Sequence, residues 1–185
     1  FVLAFSAVFD AGDKVALGLP GYPSYRQILR AMSVLPVGLP TGAETRFQPT
    51  PEMVPDDVAG LIVASPANPT GTMLTPNELA AVIARCHDMG ATFVSDEIYH
   101  GLHFGARAVS ALEVSDDVIV INSFSKYFSM TGWRIGWMVV PDALVRPIER
   151  LAQNFFICAP HVSQVAALAA MDADEECEAN RAVYA

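Results

Sequence analysis

Short apolar runs alternate along the chain with stretches whose apolar residues recur at helical spacing. The runs predict strands over Lys14–Leu17, Val34–Gly38, Leu61–Ser65, Thr92–Ser95, Val118–Asn122 and Arg134–Val140. Leu61-Ile62-Val63 and Val118-Ile119-Val120-Ile121 are continuous rather than alternating, as in strands of a parallel sheet covered by helices on both faces. Helices are predicted over Ser24–Met32, Pro76–Met89, Ala143–Phe155 and His161–Met171, and Phe1 to Phe9 is also helix-like. In the second helix Leu79, Val82, Ile83 and Cys86 share one face. Thr75 and Glu78 form a capping box at its start, and Gly90 stands where its C-terminal cap belongs. Alternating strands and helices imply an α/β architecture. The Pro-, Thr- and Gly-rich stretch from Pro40 to Pro55 reads as a surface connection, because the rhythm resumes after it.

Composition narrows the class. The 185 residues fit one domain, and 52% hydrophobic against 17% charged residues provides for a large core. The net charge of −9 gives no general attraction for nucleic acid or anionic lipid. The three cysteines, Cys86, Cys158 and Cys177, form neither a close pair nor a disulfide framework, which points to a reducing cytoplasm. The first nine residues are too short to span a bilayer and lack the basic start of a signal peptide.

Four polar segments follow the apolar runs. They are Gly21-Tyr22-Pro23-Ser24-Tyr25, Ser65-Pro66-Ala67-Asn68-Pro69-Thr70-Gly71, Ser95-Asp96-Glu97-Ile98-Tyr99 and Ser123-Phe124-Ser125-Lys126, the last succeeded by Met130-Thr131-Gly132-Trp133-Arg134. Ligands of open α/β sheets bind at the strand ends, so these groups should converge on one crevice. A lysine such as Lys126, in an apolar crevice and with no acid near it in sequence, can serve as an amine nucleophile; the alternative is a surface lysine. Asp96 should be partly buried and needs a partner, either a ligand or an N-cap or salt bridge. Arg134, on an apolar strand between Trp133 and Trp137, suits a phosphate or carboxylate, or else an ion pair in the core. Asn68-Pro69-Thr70-Gly71 is by itself turn chemistry. Tyr22 and Tyr25 are by themselves packing aromatics. His100 and His103 read as surface histidines, with the alternative that one of them lines the active-site mouth, and His161 reads as a capping or packing residue.

Together, and in this order, the segments resemble the class I/II aminotransferases of pyridoxal-phosphate fold type I. The Ser-Phe-Ser-Lys and Met-Thr-Gly-Trp-Arg-Ile-Gly-Trp stretches are the most specific. The resemblance implies a three-layer α/β/α large domain with a mostly parallel sheet, whose last strand, 134–140, is antiparallel. It implies pyridoxal 5′-phosphate as cofactor, held by Lys126 as a Schiff base. Asp96 would keep the pyridine nitrogen protonated, which makes the ring a stronger electron sink. Asn68 and Tyr99 would bond the phenolic oxygen, and Tyr22 would stack on the ring. Ser123, Ser125 and Arg134 would hold the phosphate. An amino acid and a 2-oxo acid are the implied substrates, with Lys126 as the proton carrier and ping-pong kinetics. The implied assembly is a homodimer, with no nucleic acid and no membrane as partner.

The resemblance also sets limits. The family's N-terminal arm, its first strand with a Gly/Ser-rich phosphate loop, and its C-terminal small domain have no counterpart in residues 1–185. The chain is therefore expected to be a fragment, covering most of the large cofactor-binding domain and inactive alone. Other readings of the same fold are a carbon–sulfur lyase, an aminocyclopropane-carboxylate-synthase-like enzyme, and the cofactor-sensing domain of a transcription regulator.

Overall fold

The computed structural model describes residues 1–185. Six strands form one sheet: β1 (Lys14–Leu19), β2 (Leu35–Pro40), β3 (Gly60–Ala64), β4 (Thr92–Asp96), β5 (Ile119–Ser123) and β6 (Gly136–Val139). Their order is β2-β1-β3-β4-β5-β6. The first five run parallel, and β6 pairs antiparallel with β5. The helices are α1 (Val2–Val8), α2 (Pro23–Ala31), α3 (Pro76–Met89), α4 (Asp142–Phe155), α5 (His161–Ala170) and α6 (Asp174–Ala182).

Alternate residues of the strands feed two cores, one on each face of the sheet. Leu61, Val63, Phe93, Val118 and Val120 pack with Leu79, Val82, Ile83 and Cys86 of α3. Val15, Leu17, Ile62, Val94, Ile119 and Ile121 pack with Phe5 of α1 and with Tyr25 and Leu29 of α2. Leu144 of α4 joins this second core. The continuous apolar runs are thus buried from both sides, as a helix-covered sheet requires. The three-layer α/β/α expectation and the antiparallel last strand both hold.

Helix α3 follows its sequence signals closely. Thr75 Oγ1 accepts the Glu78 N–H at 3.4 Å, and Glu78 returns a bond to the Thr75 N–H at 2.7 Å. Gly90 ends the helix at φ 67, a left-handed position that costs glycine nothing.

Two expectations need correction. The last strand starts at Gly136, not Arg134, because Arg134 is left-handed (φ 52, ψ 47) after a single 3-10 turn, Thr131–Trp133. Such a residue cannot join the ladder. The Pro40–Pro55 connection is not wholly superficial. Gln48 is buried, and its Nε2 donates to the carbonyls of Thr72 (2.8 Å) and Ala64 (3.3 Å). One amide thereby satisfies carbonyls at and beyond the end of β3. All three cysteines are free, and no helix is long and apolar enough to cross a membrane.

Candidate active site

Strands β1, β3, β4 and β5 are parallel, so their C-terminal ends lie along one edge of the sheet. β6 is antiparallel and starts at that edge, with Gly136 opposite Ser123. The polar segments separated in sequence are therefore neighbours in space. The strand order also reverses between β2 and β3 around β1, and such a reversal opens a crevice. A cavity of about 360 Å³ occupies this edge. Tyr22, Asn68, Asp96, Tyr99, Ser123, Ser125, Lys126 and Arg134 all line it. These are the eight residues that the sequence singled out.

Asp96 closes the inner end and is 3% exposed, more deeply buried than its position in the sequence suggested. Its Oδ1 accepts the Ile98 N–H at 3.1 Å, and its Oδ2 accepts the Tyr25 hydroxyl. Burial pushes the carboxyl above its usual range, while these two donors pull it back. No cation stands within 4.0 Å of it, and neither Lys126 nor Arg134 has a carboxylate within that distance. The cavity is thus walled by one buried acid and two cations, none of which neutralises another.

Lys126 follows β5 by a tight turn. Its Nζ lies 5.4 Å from the centroid of the Tyr99 ring. Asn68 Nδ2 donates to the Tyr99 hydroxyl at 3.5 Å. Tyr22 is 38% exposed, with its ring along the cavity wall and edge-on to Tyr25.

Ser123 and Ser125 form a small hydroxyl cluster. Ser123 Oγ lies 2.9 Å from Ser125 Oγ and 3.1 Å from the Ile135 carbonyl, and it accepts the Ser125 N–H at 3.1 Å. Gly136 makes room for this turn, since a Cβ there would stand 2.6 Å from the Asn122 carbonyl oxygen. Arg134 was expected to be buried on a strand. It is exposed instead, and its Nη1 donates to the Thr131 carbonyl at 2.9 Å. Its left-handed backbone is a strained state for a non-glycine residue, of the kind that concentrates at binding sites.

Two of the histidines depart from expectation, and His103 follows the alternative of lining the site. His100 is held between the Ser65 carbonyl, 3.0 Å from Nε2, and the Glu97 carboxylate, 3.4 Å from Nδ1. Glu97 is itself buried and accepts the Ala111 N–H at 2.8 Å and the Ser110 hydroxyl at 3.1 Å. His100 is therefore a strut beneath the Ser65–Gly71 loop, not a surface residue. His103 is half-buried beside Tyr99 and Asn68. Burial, together with Arg181, His100 and Arg107, draws its imidazole below the usual range. His161 is exposed at the start of α5 and makes no capping bond.

The fold that carries this cavity recurs among known proteins. The family profile "Aminotransferase class I and II" matches residues 1–184. The chain belongs to the class I and II aminotransferases. It is 50% identical to "Valine--pyruvate aminotransferase" of Mycobacterium tuberculosis, a match that spans 100% of this chain and 50% of that protein. A crystal structure of an aminotransferase from Mycobacterium tuberculosis superposes with a TM-score of 0.95 at 47% identity, over 99% of this chain and 49% of that one. Aspartate aminotransferase from Thermus thermophilus with maleate gives a TM-score of 0.91 at 28% identity, over 98% and 49%. The chain therefore spans about half the length of the aminotransferases it matches. Each of these relatives is named as an aminotransferase, and none as a lyase, synthase or regulator.

Sequence reasoning missed Tyr25 as a partner of Asp96 at this cavity. The available signal was its spacing: three residues past Tyr22 and four before the buried Leu29, it sits on the sheet-facing side of the first turn of α2.

Proposed function

We propose that this chain forms most of the cofactor-binding domain of a pyridoxal 5′-phosphate aminotransferase that moves an amino group from an amino acid to a 2-oxo acid. The observation that carries the reading is the set of uncompensated charges around one cavity. A buried carboxylate lacking a cation, an arginine lacking an anion and a lysine amine lacking a hydrogen-bond or ion-pair partner suit an aromatic ring with a basic nitrogen, a phosphate and an aldehyde. The volume of about 360 Å³ is adequate for such a molecule.

When bound, the cofactor would supply an aldehyde carbon and a protonated ring that draws electron density from the α-carbon of the substrate. Asp96, buried at its end of the cavity, would hold a proton at the ring nitrogen. Asn68 and Tyr99 would donate to the ring oxygen, and Tyr22 would cover one ring face. Arg134 would grip the phosphate through its guanidinium fork, with Ser123 and Ser125 adding hydroxyl donors. Lys126 would be the amine that holds the cofactor at its aldehyde. Once displaced by the amino acid, its Nζ would carry the proton that leaves the α-carbon.

Residues 1–185 would then be part of a longer polypeptide. The remaining parts, an N-terminal arm, a first strand with its phosphate loop and a C-terminal small domain, would complete substrate recognition. A homodimer is the proposed assembly. Supporting it, Phe155, Phe156, Ile157, Val162, Val165 and Leu168, from the end of α4 to α5, each expose a large apolar side chain. The proposed location is the cytoplasm.

The test uses the full-length protein. Borohydride reduction of the cofactor-loaded form and peptide mapping should mark Lys126. A screen of amino donors and oxo acids should begin with valine and pyruvate, the pair in the name of the 50%-identical relative. Label at another lysine, or ammonia release without amino transfer, would refute the proposal.

A further inference from the structure

We propose that Tyr25 is a positioning residue of this site, its hydroxyl aiming and weakening the Asp96 base and its ring bracing Tyr22. The inference rests on the cofactor reading above and extends it to a residue outside the set that touches the cofactor.

Tyr25 is 4% exposed, and its hydroxyl has a single hydrogen-bond partner, Asp96 Oδ2. The Ile98 N–H holds the other oxygen at 3.1 Å. The carboxylate thus has one neutral donor on each oxygen and cannot swing. An ionised carboxylate has roughly four lone-pair sites, so two donors leave room for a third bond, directed into the cavity.

The choice of a neutral donor matters. An arginine or lysine in place of Tyr25 would cancel the carboxylate charge and leave little to attract a ring N–H⁺. A phenol stabilises the charged form of Asp96 without neutralising it. A buried carboxylate without such help is a strong base and would take the proton back from the ring. Tyr25 thereby keeps the proton on the ring nitrogen. The other titratable groups facing Asp96 are Tyr22, Tyr99, Lys126 and Arg134 around the cavity and Glu97 beside it. None of them lies within hydrogen-bond distance of the carboxylate.

The same ring carries a second load. Tyr25 packs edge-on to Tyr22, with centroids 5.3 Å apart at 79°, and to Phe1, at 5.1 Å and 66°. Pro23 fixes the backbone between the two tyrosines. One side chain therefore sets both the ring that would cover the cofactor face and the acid that would meet its nitrogen.

The test is Tyr25→Phe in the full-length, cofactor-loaded protein. This change keeps the packing and removes the donor. A stronger Asp96 base draws the proton off the ring nitrogen, which makes the Lys126-bound nitrogen more basic. The pH midpoint of the visible absorbance change should therefore rise by about half to one unit. Since half to one unit corresponds to about three- to tenfold, kcat should fall by about that factor while KM stays within about threefold. Replacing Tyr25 with 3-fluorotyrosine, a stronger donor of nearly the same shape, should move the midpoint down, and it serves equally if Tyr25→Phe does not fold. A midpoint unmoved by either replacement, or moved in the opposite sense, overturns the positioning role even if kcat falls. A parent protein with no Lys126-bound absorbance overturns the cofactor reading, and this inference with it.

Discussion

The Lys126 ammonium faces the ring of Tyr99 at 5.4 Å, while Asn68 reaches the hydroxyl at the far end of that ring from 3.5 Å. Tyr99 thus serves two neighbours with two different parts. Tyr99→Phe should keep the ring face that steadies Lys126 and lose only the hydroxyl. One hydrogen bond is worth roughly 0.5–1.5 kcal/mol, so kcat should drop about three- to tenfold. Cofactor loading, read by absorbance, should change little. A drop as large as that of Lys126→Ala would show that the hydroxyl does more than bond the ring oxygen.

Arg134 offers a sharper case. Its guanidinium is bound only through Nη1 to the Thr131 carbonyl, which leaves the rest of the fork for an anion. Arg134→Lys preserves the charge and removes the fork. A planar two-point contact becomes a point charge, and the two residues are not equivalent at such a site. Cofactor affinity should weaken by about tenfold, as expected for the loss of one charge-assisted bond of roughly 1.5 kcal/mol. Fluorescence titration of the cofactor-free protein would measure it. Unchanged affinity would place the phosphate elsewhere.

Most of the site was legible because the chain announces strand ends. Continuous apolar runs stop at Ala64, Asp96 and Ser123, and polar clusters begin at once, so convergence followed from the topology of a parallel sheet alone. Helix α3 was legible to the residue because its caps are local chemistry. What escaped was tertiary. The partial burial of His100 depends on a carbonyl 35 residues earlier in the chain and on Glu97, whose own depth comes from the Ser110–Ala111 turn. The left-handed backbone at Arg134 arises where a 3-10 turn must be joined to a strand, which no periodicity in the Trp133–Trp137 stretch reveals. Tyr25 escaped for a similar reason: its partner Asp96 lies 71 residues away.

Asp96 ties stability to pH with a definite sign. In the cofactor-free protein burial raises its carboxyl above the ordinary 3.8. As pH rises past that value, the unfolded chain releases its proton first, while the folded chain keeps its own. The folded form then binds more protons, so the stability associated with this group, complete below 3.8, is lost as pH climbs through the folded-state value. Asp96→Asn should abolish this loss. The cofactor-free variant should therefore be more stable than its parent at neutral pH and no more stable in acid, as denaturant curves at several pH values would show. The same variant should lose about 10²- to 10⁴-fold in kcat, the usual weight of a lost proton-holding group. A site that weakens the fold and strengthens the chemistry fits function, whereas a purely structural acid would lose stability on replacement.

Gly136 tests whether the phosphate end of the cavity depends on backbone approach. A Cβ there would meet the Asn122 carbonyl oxygen at 2.6 Å and the Ser123 Cα at 3.1 Å. Both atoms belong to backbone, so relief requires β5 and β6 to part at the point where Ser123 sits. Gly136→Ala should cost about 1–3 kcal/mol, as inserted groups do in packed regions. Thr75→Ala provides the contrast. It removes the cap of α3 and should cost about 1 kcal/mol, yet Thr75 does not line the cavity. Urea unfolding should thus report losses of similar order for both variants. Cofactor affinity should fall only for Gly136→Ala, because only there does the displaced backbone carry a hydroxyl of the site. Equal affinity in the two variants would mean that β5 accommodates the methyl group without moving Ser123, and that the close strand approach serves packing alone.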